Sequence, residues 1–68
     1  MVETRKLKGK LVELGLTIAD LAKALGVSTG TVYRKLQDPD RITVRDVRAI
    51  SQTLELSADE MQAIFFAS

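Results

Sequence analysis

Leucines at positions 7, 11 and 14 return about once per helical turn, and Gly15 follows them. That spacing lays one apolar stripe along a helix, and glycine accepts the left-handed backbone that ends one. A first helix over 4–14 is predicted, weakened by Gly9, which costs about 1 kcal/mol relative to alanine inside a helix. Thr17 and Asp20 then stand at capping-box spacing ahead of Ile18, Leu21, Ala22 and Leu25. They predict a short second helix that Gly26 closes. Val27 is apolar and Ser28 is a good N-cap, so a third helix starts almost at once and runs to about Gln37, with Val32 and Leu36 inward. Asp38-Pro39-Asp40 reads as a turn. Thr43 opens a fourth helix with Asp46 again at the third position, and Val44, Val47, Ile50 and Leu54 form its apolar stripe. Ser57 opens a fifth, with Asp59 and Glu60 in its first turn, where the helix dipole favours anions, and Met61, Ile64 and Phe65 inward. No segment alternates with period two. The pattern predicts an all-α chain of five short helices.

Composition narrows the chemistry. At 68 residues the chain has room for a single domain, 1–68, and no catalytic cleft. It has no Cys and no His, which removes disulfides, thiolate metal sites and the commonest general base. Asp38 and Asp40 flank a proline and read as turn formers, not a catalytic carboxylate pair. No enzymatic activity, cofactor, metal or small-molecule ligand is expected. No apolar run approaches the ~20 residues of a membrane span, and the charged start Met1–Lys6 is unlike a signal peptide. A cytoplasmic protein without a membrane partner is expected.

The net charge is only +1, but it is unevenly spread. Residues 1–36 hold seven basic and three acidic side chains, and residues 37–68 hold three basic and six acidic ones. No lysine or arginine occurs in residues 49–68. One basic half suggests one phosphate-facing side.

The informative stretch is TIADLAKALGVSTGTVYRKLQ, residues 17–37. Two short helices joined by about four residues must cross steeply. Such a crossing needs a small residue where the backbones meet (Ala22), positive φ in the turn (Gly26) and apolar wedges (Leu21, Val27, Val32). The second helix then presents Ser28, Thr29, Gly30, Thr31, Tyr33 and Arg34 to solvent. With Ala22, Gly26, Val27, Ser28 and Val32 in this register, the chain resembles the phage repressor and Cro type of helix-turn-helix domain, the XRE-like family. The leading LKGKLVELGLT, the trailing TVRDVRAISQTLELS and the ending EMQAIFF extend that resemblance over nearly the whole chain, towards small Gram-positive-phage Cro or repressor proteins. It implies a compact five-helix lambda-repressor-like fold and a transcriptional regulator that binds a double-stranded DNA operator.

Carried over by position, the resemblance makes Thr29, Gly30, Tyr33 and Arg34 the base-reading residues. Arg34 has the chemistry for bidentate bonding to guanine. Thr29 is read either as a base or phosphate contact or as a helper in satisfying the helix end. Gly30 either lets DNA approach the backbone or is a tolerated first-turn glycine. Tyr33 either reaches DNA or leans on Leu36 and Pro39. Thr17, Lys23, Ser28, Thr31, Lys35, Arg41, Thr43 and Arg45 are candidate phosphate contacts, as are Lys6, Lys8 and Lys10. The family often has Gln where this chain has Ile18, which cannot hydrogen-bond, so Thr17 takes over that contact or the contact is absent.

Phe65 and Phe66 lie about 100° apart on a helix, so both cannot enter so small a core. Phe65 is assigned to the core, and Phe66, flanked by Ile64 or Met61, to a homodimer contact. Two other readings stand beside a Cro-like regulator: an antitoxin or excisionase DNA-binding subunit, and a helical protein–protein module using the fifth helix.

Overall fold

The computed structural model describes residues 2–66 and contains five α-helices and no strand among them. They are α1 (Thr4–Glu13), α2 (Ile18–Leu25), α3 (Thr29–Gln37), α4 (Val44–Thr53) and α5 (Ala58–Phe65), with a 3-10 turn at Pro39–Arg41 between α3 and α4. The all-α, five-helix expectation holds. None of these helices is long and apolar enough to cross a membrane.

The helix starts follow local chemistry. Thr17 with Asp20, Thr43 with Asp46 and Ser57 with Glu60 each form a reciprocal capping box at the head of α2, α4 and α5. Three helix ends share a second device. The chain turns left-handed at Gly15 (φ 71°), Gly26 (φ 70°) and Glu55 (φ 51°), and the next amide bonds back across the last turn. Those amides are Leu16 to the Leu11 carbonyl, Val27 to Ala22 and Leu56 to Ser51. Glu55 does with a side chain what glycine does at the other two, at a strain of about 1–2 kcal/mol.

Every helix contributes to one core: Leu7 and Leu11 from α1, Leu21 and Ala22 from α2, Val32 from α3, Ile50 from α4 with Leu54 just beyond it, and Ile64 and Phe65 from α5. The second helix packs on both α3 and α4, while α1 packs on α5. Burial of Phe65 matches the sequence reading.

Three inward positions do not. Leu14 lies outside α1 and is exposed, because the left-handed turn at Gly15 brings Leu16 against the core in its place. Val44 is 74% exposed. Each three-residue step falls about 60° short of a full turn, so Val44 sits about 120° around α4 from Ile50. Val27, expected as a wedge, is 36% exposed. Its amide is held by Ala22, but the left-handed Gly26 swings the chain outwards and leaves its side chain at the rim.

Candidate nucleic-acid interface

The third helix begins immediately after the left-handed turn, with Ser28 as its N-cap. The Ser28 hydroxyl accepts the Thr31 N–H at 3.2 Å and shares a hydrogen bond with the Thr31 hydroxyl at 3.0 Å. Two hydroxyls joined by one hydrogen bond leave one O–H to donate outwards. The caps of α2, α4 and α5 place a carboxylate in the first turn, whereas α3 has none there. An anion approaching the start of α3 therefore meets amides and hydroxyls without a competing negative charge.

Thr29, Gly30, Tyr33 and Arg34 are all exposed along this helix. The Arg34 Nε donates weakly to the Gly30 carbonyl at 3.4 Å, which lays the guanidinium along the helix surface with its remaining donors unpaired among the described residues. Tyr33 lines a shallow depression with Lys8, Val12 and Thr17, whereas Leu36 and Pro39 line a different one. Tyr33 keeps 52% of its surface exposed. Gly30 has ordinary negative-φ backbone, and an added Cβ would meet only the Ser28 Oγ, at 3.8 Å. Nothing inside the fold demands glycine there.

The candidate phosphate contacts divide by what already occupies them. Lys23, Arg41 and Arg45 are exposed; Arg41 pairs with the solvent-facing Asp38 at 3.3 Å. Lys6 and Lys8 are exposed on α1. Thr43 is exposed, and its hydroxyl accepts the Asp46 N–H at 3.1 Å. Thr17 is committed: its N–H and its hydroxyl both donate to the Asp20 carboxylate, at 2.8 and 3.0 Å, and the Asp20 N–H donates back. These bonds, the Thr17 N–H first, hold the Asp20 carboxyl below its usual pKa. A phosphate at Thr17 would have to displace its own cap.

Lys10 and Lys35 are committed as well, through contacts distant in sequence. Lys10 pairs with Glu60 on α5 and, more loosely, with Glu13. The Lys10 hydrogen bond, then the Ser57 N–H, depresses the Glu60 pKa. Lys35 reaches Asp46 at 2.7 Å. Partial burial works to raise the Asp46 carboxyl, but the hydrogen bonds from Lys35 and the Thr43 N–H outweigh it and leave its pKa low.

Away from this surface, the expected dimer residues separate. Ile64 is 4% exposed and belongs to the core, because α1 packs over that side of α5. Met61 is half-buried against the same core. Phe66 is 57% exposed and borders a groove with Val2, Ile42, Val44 and Val47.

The geometry is two short helices joined by a tight left-handed turn, with the second presenting a polar face. The family model described as helix-turn-helix matches residues 7–61. The chain belongs to the helix-turn-helix family. Members of this family are DNA-binding regulatory domains, not enzymes as a rule. No curated protein and no solved structure matches this chain. Within this domain the residues just described fall into an exposed polar set on α3 and a flanking set of cations and hydroxyls. The Lys35–Asp46 and Lys10–Glu60 links were the part that sequence reasoning missed.

Proposed function

We propose that this helix-turn-helix protein is a sequence-specific, Cro- or repressor-like transcriptional regulator that inserts α3, residues 28–37 with its cap, into the major groove of an operator. The observation that carries the reading is the exposed face of Thr29, Gly30, Tyr33 and Arg34 on α3, whose first turn holds no carboxylate. Arg34 is the base reader of choice, since a guanidinium matches guanine O6 and N7. The cations Lys23, Arg41 and Arg45 and the hydroxyls of Ser28, Thr31 and Thr43 supply phosphate contacts, which fix register and affinity.

A homodimer fits this function. The exposed Phe66 and Val44 beside an apolar groove support a two-fold contact there, with Phe66 retained from the sequence reading and Val44 added to it. Such a dimer reads a pseudo-palindrome with half-sites about 34 Å apart. A single domain spanning residues 1–68 and acting in the cytoplasm completes the proposal.

The test is operator selection from random duplexes, followed by anisotropy titration of Arg34→Ala. Loss of about 1–3 kcal/mol on the selected sequence, with one base position relaxed, is expected. An unchanged preference removes Arg34 from the reading set; failure to select any sequence defeats sequence-specific recognition and returns attention to the Phe66 groove as a protein-docking face.

Gly30→Ala separates stability from binding. Alanine should stabilise the helix by about 0.5–1 kcal/mol, raising the urea midpoint, while its methyl group pushes DNA away and weakens binding. A gain in both quantities contradicts close approach of DNA at Gly30.

A further inference from the structure

Arg34 and Lys35 are adjacent on α3, yet their charges are used differently. The Arg34 side chain is exposed, whereas the Lys35 and Asp46 side chains retain only 19% and 14% of their surface. The Lys35 ammonium donates to Asp46 Oδ2 at 2.7 Å and to the Arg41 carbonyl at 3.3 Å. The same Asp46 oxygen accepts the Thr43 N–H at 3.0 Å. One ammonium thus ties three pieces of chain together: α3, the end of the 3-10 turn and the cap of α4.

We propose that Lys35 is a positioning residue of the DNA interface, which locks α3 to the Arg41–Thr43 segment and does not itself contact phosphate. The inference rests on the DNA-binding reading above. Two physical arguments support it. Moving Lys35 onto a phosphate would leave a partly buried carboxylate without its cation and break a second bond to the Arg41 carbonyl, and an abandoned partner is the expensive side of such a change. The locked segment also carries Arg41 and Thr43, both candidate phosphate contacts, while α3 carries the base readers. The distance between those two sets determines whether both can engage one duplex. A link of fixed length between α3 and α4 holds that distance without spending a protein charge on DNA.

The experiment is a salt series of anisotropy titrations on a labelled random-sequence duplex with wild type, Lys35→Met, Asp46→Asn and the double variant. Methionine keeps the apolar stem and removes the ammonium. Each variant is expected to bind about two- to thirtyfold more weakly, the range over which a residue outside the contact set modulates binding. The slope of log affinity against log salt should match wild type, and the double variant should be no worse than either single one, since all three break one link. A lysine that contacts phosphate gives the opposite result: Lys35→Met lowers the slope by about 0.9 for each protomer bound, and Asp46→Asn, by freeing the ammonium, binds tighter. Either outcome overturns the proposal.

A second readout needs no DNA. The amide resonances of Arg41, Ile42 and Thr43 should shift in Lys35→Met, and their constancy would sink the lock. If Lys35→Met fails to fold, Asp46→Asn carries the test, because its amide oxygen still accepts the Thr43 N–H. A wild type that shows no salt-dependent binding removes the DNA-binding reading and this inference with it. A wild type that binds while Lys35→Met loses slope removes this inference alone.

Discussion

Leu21→Ala is expected to lose a third or more of its stability, and DNA binding in step with the folded fraction. Leu21 is 1% exposed and lies on α2, the helix that packs on both α3 and α4. Truncating a buried leucine removes transfer energy and leaves a cavity, together about 3–5 kcal/mol. A domain of this size holds about 3–10 kcal/mol in total. The substitution therefore takes between a third and all of it. Val32 of α3 and Ile50 of α4 belong to the same buried core, and α2 packs on both of their helices. Urea unfolding followed by circular dichroism measures the effect. A loss below about 1 kcal/mol would mean that α3 and α4 are held chiefly by each other, and α2 would cease to be the centre of the fold.

Affinity for random-sequence DNA should fall by about 10³ between 50 and 200 mM salt if two protomers bind together. Each phosphate neutralised contributes a slope of about 0.9 in log affinity against log salt. Three exposed cations are assigned to phosphate in each protomer, Lys23, Arg41 and Arg45, with Lys35 excluded by its commitment to Asp46. Six contacts per dimer give the thousandfold drop, whereas three from a lone protomer give only about fortyfold. The magnitude therefore counts protomers as well as testing binding. A thousandfold loss that becomes tens-fold in Phe66→Ser ties dimerisation to the Phe66 groove. Affinity that ignores salt contradicts a phosphate-facing surface altogether.

How much of this was legible in the sequence follows from the range over which each signal acts. The helix starts at Thr17, Ser28, Thr43 and Ser57 were readable because a cap is a contact across three residues. The turns at Gly15 and Gly26 were readable because positive φ favours a residue type. Glu55 closes α4 in the same way without that residue type, and nothing local announces it. Ser57 and Glu60 stand at full capping-box spacing, so the reciprocal cap was present in the sequence and was read only as a favourable charge. Apolar spacing located the stripes but not their edges, which is where Leu14, Val27 and Val44 came out exposed. The assignment of Lys10 and Lys35 to phosphate was weakened by partners 50 and 11 positions away. A lysine committed to a carboxylate and a lysine waiting for a phosphate look the same in one dimension. Tertiary packing separates them.

The amide of Glu3 donates to the carbonyl of Ile64 at 2.6 Å, and α1 packs along α5 above that link. A seam of this kind makes the first and last helices one cooperative unit. Leu7 of α1 and Phe65 of α5 belong to the same buried core, so fraying at either helix uncovers that core and neither peels away alone at low free energy. The helix-turn-helix surface is carried between them by α2 to α4, and it is insulated from the small openings that usually begin at helix ends. The two ends of the chain thus open together or not at all, and α3 lies between them in sequence.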